Sequence, residues 1–110
     1  MAAKTFINRS NDFINVTLLI RQGNNIQKPS IKEEFSLSPG ETKNFPYGNN
    51  SNIYLNGLTF QLKYKNLQAM MTKTKEVIAT GSMPTFDAVL NTNSFITING
   101  VGPMNISGSN

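Results

Sequence analysis

Apolar and polar positions alternate with a period of two through most of the chain. In Phe13-Ile14-Asn15-Val16-Thr17-Leu18-Leu19-Ile20-Arg21, the residues Ile14, Val16, Leu18 and Ile20 make a wholly apolar face, and Phe13, Asn15, Thr17, Leu19 and Arg21 make the other. That is the pattern of a strand whose even face meets a core. A shorter strand is expected at Thr5 to Asn8, before a turn at Ser10-Asn11. Ile31, Glu33, Phe35 and Leu37 share one face of the next segment. Leu58, Phe60, Leu62 and Tyr64 point inward in the clearest half-buried strand, with Lys63 and Lys65 outward.

The breaks between these segments carry turn chemistry. Two Asn-Gly pairs, Asn56-Gly57 and Asn99-Gly100, are flanked by strand-favouring residues and predict tight β-hairpins. Pro39 and Gly40 suit the central positions of a type II turn in Ser38-Pro39-Gly40-Glu41. Pro46 confines the segment Thr42 to Tyr47 to a sheet edge, because a central strand loses a ladder donor there. Leu37-Ser38-Pro39-Gly40-Glu41 followed by Phe45 resembles a turn found in many immunoglobulin-like sandwich domains.

The stretch from Leu67 to Thr80 fits either template. Leu67, Met70, Met71, Val77 and Ile78 make a helical stripe, whereas Thr72, Thr74, Val77, Ile78 and Thr80 favour extended chain. A strand, at least from Thr74 onward, completes a meander. Phe86, Val89 and Leu90 at i, i+3 and i+4 predict a short helical turn near 84–91, capping one end. Gly102-Pro103 precedes a last strand, and Ser107 to Asn110 is expected to fray. The fold expected is all-β: one antiparallel β-sandwich domain over residues 1–110, of about seven or eight strands, immunoglobulin-like in architecture. Val16, Leu18, Ile20, Phe35, Leu37, Phe60, Leu62, Ile96 and Ile98 are its expected core.

Composition changes the functional picture more than the fold. The 110 residues hold neither His nor Cys, which removes thiolate nucleophiles, disulfides, imidazole or thiolate zinc sites and the commonest general base at neutral pH. The six acids are Asp12, Glu33, Glu34, Glu41, Glu76 and Asp87, and no two of them form an evident catalytic or metal-binding pair. Glu33 and Glu34 fall on opposite faces of a strand. A non-enzymatic protein without cofactor or metal is therefore expected. No segment approaches the length of a membrane helix, and no leader precedes the first strand, so the default expectation is a cytoplasmic protein; a leader removed beforehand would place it outside the cell. Sequons at Asn8, Asn15, Asn49 and Asn105 follow from the richness in Asn, Ser and Thr, and do not argue for glycosylation.

Two surfaces remain as candidates. Tyr47, Asn49, Asn50, Asn52 and Tyr54 offer amides, hydroxyls and aromatic faces for a protein or carbohydrate partner, although Gly and Asn also serve turns for backbone reasons. Lys63, Lys65, Lys73 and Lys75 share a face if their strands pair in the appropriate register, and a net charge of +4 helps such a patch attract nucleic acid or another anionic polymer. Alternating lysines equally suit a solvated strand face or a protected edge. The leading expectation is a binding module acting through its polar loops or an exposed sheet edge, with self-association through an edge as a route to oligomers; nucleic-acid binding ranks second.

Overall fold

The computed structural model describes residues 2–22, 31–49, 52, 54–63, 70–77, 86–101 and 104–110. Eight strands and one helix follow each other as β1 (Ala2–Asn8), β2 (Ile14–Ile20), β3 (Lys32–Leu37), β4 (Thr42–Tyr47), β5 (Leu55–Lys63), β6 (Met70–Glu76), α1 (Phe86–Asn91), β7 (Phe95–Val101) and β8 (Met104–Ser109). They form two four-stranded sheets, the first ordered β4-β1-β7-β8 and the second β3-β2-β5-β6. The architecture is the expected all-β sandwich. All neighbours run antiparallel except β1 and β7, which pair in parallel with Phe6 beside Ile96.

The period-two pattern explains the layering. Ile14, Val16, Leu18 and Ile20 are all fully buried and face the same interior as Leu58, Phe60 and Leu62 of the neighbouring β5. Across the gap between the sheets, Phe35 of β3 packs between Phe6 of β1 and Phe45 of β4, with ring centroids 5.0 and 4.5 Å apart. Burying each such side chain contributes about 1.5–3 kcal/mol. Every residue of the expected core is buried. The core also takes in Phe6, Tyr47, Leu55, Val77, Leu90 and Val101.

Several local expectations hold. The amide of Glu41 donates to the Ser38 carbonyl at 3.0 Å, and Gly40 has a φ of 80°, the signature of the type II turn. The strand with Pro46 is the edge strand β4. The helix forms at Phe86–Asn91 and buries Leu90. The helical alternative for the segment after Leu67 gives way, from Met70 onward, to the edge strand β6. The expected fraying from Ser107 also gives way, because β8 continues to Ser109.

Neither Asn-Gly pair turns the chain. Asn56-Gly57 lies inside β5, and Asn99-Gly100 lies inside β7. Both sit at β-bulges. Leu19 pairs with Gly57 and Ile20 with Leu55, so Asn56 is the extra residue; Ile98 pairs with Ile106 and Gly100 with Asn105, so Asn99 is the extra residue. The glycine at position 57 answers a close approach: a Cβ there would lie 2.6 Å from the Lys75 carbonyl oxygen and 3.1 Å from Leu19 Cδ1. Gly102-Pro103, between β7 and β8, lies outside the described residues.

Candidate functional site

The loop after β4 is built around its own backbone. Gly48 adopts a φ of 70°, and a side chain there would meet the Asn52 carbonyl oxygen at 1.9 Å. Asn49 and Asn52 exchange backbone hydrogen bonds of 3.2 and 3.3 Å, and Asn49 Oδ1 also accepts from the Asn52 amide at 2.9 Å. The Gly48 amide donates to Glu33 Oε2 at 2.8 Å. These asparagines close a turn.

The aromatic members of that candidate site are not gathered on its surface. Tyr47 is 2% exposed and belongs to the core. Tyr54 is half-buried, with the Arg21 guanidinium carbon 5.7 Å from its ring centroid. Asn50 lies outside the described residues. Tyr47 was expected to offer its ring to a ligand because tyrosines in polar loops are normally wet at one end; here the residue closes β4 with its side chain inward.

Burial gives Tyr47 a measurable signature. Desolvation of the phenolate pushes its pKa up to about 12 from the ordinary 10.0. The neutral phenol is favoured in the folded state, so its contribution to stability is full below pH 10 and is lost as pH rises from about 10 towards 12. Lys4, 9% exposed with its amine on the Asn93 carbonyl, has its pKa lowered by desolvation. A folded-state lysine so lowered makes stability rise with pH until both states are neutral, near 10.5. Denaturation profiles are therefore expected to improve approaching pH 10 and then fall by on the order of 2–3 kcal/mol by pH 12. Tyr47→Phe is expected to abolish most of that fall, which chemical denaturation across the alkaline range measures.

Position 63 does not share the register of Lys73 and Lys75. Lys73 pairs with Phe60 and Lys75 with Leu58, so both occupy the register of the inward face of β5 at the sheet margin, whereas position 63 pairs with Met70 in the register of Thr59 and Gln61. A one-residue difference in pairing moves a strand's side chains to the other face. Lys75 places its ammonium 4.8 Å from the Phe86 ring centroid, a cation–π contact on α1. Lys65 lies outside the described residues.

A polar cluster that the sequence did not announce joins α1 to the sandwich. Arg21, read as part of the outer face of β2, is 1% exposed. Its Nη2 donates to Asp87 Oδ1 at 2.7 Å and to the Leu55 carbonyl at 3.2 Å, and its Nε donates to Asn56 Oδ1 at 3.2 Å. Asn91 donates to the same Asp87 oxygen at 3.0 Å and brackets Leu55 by accepting from its amide and donating to its carbonyl. Each group in this cluster is engaged by a neighbour, which makes it a fastening for the helix. The signal available was the bulge residue Asn56 beside an arginine at the end of an apolar strand.

Two of the remaining acids are also engaged locally. Glu34 Oε1 accepts from Thr17 at 3.4 Å, and Glu41 Oε1 accepts from the Ser38 amide at 2.8 Å. Among the described residues there is no group of three or more His, Cys, Asp or Glu that could hold a metal, and no helix is long and apolar enough to cross a membrane.

The free sheet edges differ sharply in chemistry. β3 carries Lys32, Glu33 and Glu34, β4 carries Lys43 and Pro46, and β6 carries Lys73, Lys75 and Glu76. These are the residues with which sheets blunt their edges. β8, with the sequence Met-Asn-Ile-Ser-Gly-Ser, has neither charge nor proline. Its Asn105, Ser107 and Ser109 are exposed, while Met104 and Ile106 pack against the core. β6 is an edge too, but β8 is the one without charges. No protein-family model, curated protein or solved structure matches this chain.

Proposed function

We propose that the protein is a non-catalytic interaction module that accepts an extended segment of a protein partner along the free edge of β8. What carries this reading is β8 itself: a six-residue strand that among the described residues pairs only with β7, at the end of the first sheet, without a lysine, glutamate or proline to repel an incoming strand. Strand addition draws affinity from main-chain hydrogen bonds and specificity from alternate side chains. An incoming strand would meet Met104 and Ile106 on one face and Asn105, Ser107 and Ser109 on the other. The lack of His and Cys and the local engagement of Glu33, Glu34, Glu41 and Asp87 support a role without chemistry. The anionic-polymer reading loses support, since its lysines divide between two registers.

The test is selection from a displayed library of extended peptides, with the native chain and with Ser107→Lys as bait. The native chain is expected to enrich peptides of alternating apolar pattern, and bound peptide to slow hydrogen exchange at β8. Ser107→Lys, an outward charge on the edge, is expected to abolish enrichment while changing stability by no more than about 0.5 kcal/mol. Enrichment that survives the lysine, or protection at another strand, would refute the proposal. A dimer seen by light scattering and lost in Ser107→Lys would identify the partner as a second copy.

A further inference from the structure

The face of the second sheet that points away from the core carries a hydrogen-bonding array of amides and hydroxyls, with the carboxylate of Glu34 at one margin. Register aligns Ser36, Asn15, Gln61 and Thr72 in one rung across β3, β2, β5 and β6. In the adjacent rung Glu34, Thr17, Thr59 and Thr74 stand side by side, Glu34 Oε1 accepting from the Thr17 hydroxyl at 3.4 Å and the last two hydroxyls lying 3.0 Å apart. Phe13, 52% exposed, precedes Asn15 by two positions just before β2 begins. Phe13, Asn15, Ser36 and Gln61 line a surface depression of about 260 Å³.

The polar groups in this depression are oriented but not used up. The Ser36 hydroxyl donates to Asn15 Oδ1 at 2.7 Å, which leaves the Asn15 amino group to point elsewhere. Among the described residues, neither that amino group nor the Gln61 amide has a protein partner. The support beneath them is stiff: β2 and β5 are the two inner strands of the sheet, and their opposite faces hold Val16 and Phe60 at 0% exposure. The platform is therefore built before any ligand arrives, which lowers the ordering cost of binding.

We infer that this depression is a binding site for a neutral, extended oligosaccharide. An apolar sugar face can lie on the Phe13 ring while ring hydroxyls reach the amides of Asn15 and Gln61, a concave site with few polar groups fixing orientation. The rungs repeat across strands at about 4.8 Å, a spacing comparable with the rise of one pyranose unit, so that successive sugars meet successive strands. The residues lining the depression carry no cation, which disfavours a phosphate or sulfate polymer. This site is independent of β8, which lies in the other sheet.

Calorimetric titration of the full chain with cellohexaose and with chitohexaose tests the site. Saturable binding is expected for at least one of them, weakened about tenfold or more by Phe13→Ala and by Asn15→Ala/Gln61→Ala. Asn44→Ala, on the first sheet, and a rise in NaCl from about 50 to 500 mM are expected to leave the affinity unchanged. Circular dichroism of the variants checks that they remain folded; Phe13 is half in water and its truncation leaves the core intact. No binding by either oligosaccharide, binding indifferent to the substitutions, or binding removed by salt would each overturn the inference.

Discussion

Asp87→Ala is expected to cost the fold about 3–5 kcal/mol, because it strands the Arg21 guanidinium without its counter-charge in the interior. The ion pair is 2.7 Å long, and its side chains are 2% and 16% exposed. Water cannot easily replace the lost carboxylate. The substitution also frees one donor of Asn91 and loosens the hold of α1 on Leu55. A six-residue helix has too few internal hydrogen bonds to persist alone, so its place depends on this fastening and on Leu90. The cost of breaking a buried pair is mostly the cost of the orphaned charge, and a double substitution separates the two. Arg21→Met/Asp87→Leu removes both charges and is expected to recover most of the loss seen in Asp87→Ala. Urea denaturation followed by circular dichroism measures both variants against the native chain. A loss below about 1 kcal/mol in Asp87→Ala would show that the guanidinium finds water.

What was legible in the sequence was what neighbours along the chain decide. The even face of β2, the turn at Pro39-Gly40 and the short helix around Leu90 all follow from periodicity or from residues with restricted backbones, and each stands where expected. What was not legible depends on which strand lies alongside. Asn-Gly favours a hairpin turn and also tolerates a bulge, and the choice at Asn56 is made by the pairing of Leu19 and Ile20 with β5. The bulge in turn sets Asn56 against Arg21, so an arginine whose parity assigned it to solvent ends among Leu55, Asn56 and Asp87. The lysines fail as a patch for a related reason: their faces follow from the β5–β6 register, which no local signal in either strand states. The candidate surfaces were therefore the least readable part. β8 was expected to fray within its own length, and the amide and hydroxyl rungs of the second sheet exist only once four separate strands are placed in register.

Asn8 supplies the second large effect, and it concerns how the two sheets are tied at a corner. The residue is 0% exposed at the end of β1. Its side-chain amino group donates to the carbonyls of Asp12, Ser38 and Leu37 at 2.9, 3.1 and 3.2 Å, and its Oδ1 accepts from the amide and hydroxyl of Ser10 at 3.0 and 2.6 Å. Its own backbone accepts from the Gly40 amide at 2.7 Å. One side chain thus joins the corner between β1 and β2 to the turn between β3 and β4. Asn8→Ala is expected to cost about 3 kcal/mol, since several buried backbone groups lose partners that water cannot reach. Asn8→Asp separates this account from simple loss of volume. A carboxylate keeps the size but offers no donors and aims a charge at carbonyl oxygens, so at neutral pH it is expected to be worse than alanine. Protonation restores one donor, and the folded state therefore raises the pKa of the introduced carboxyl. The sign follows from that: the variant's relative stability is greatest below the unfolded value of about 3.9 and is lost as pH rises through the higher folded value. Measured by urea denaturation between pH 3 and pH 7, with the native chain subtracted at each pH, Asn8→Asp is expected to draw level with or surpass Asn8→Ala in acid; a gap that ignores pH would rule out the carbonyl-facing geometry as its cause.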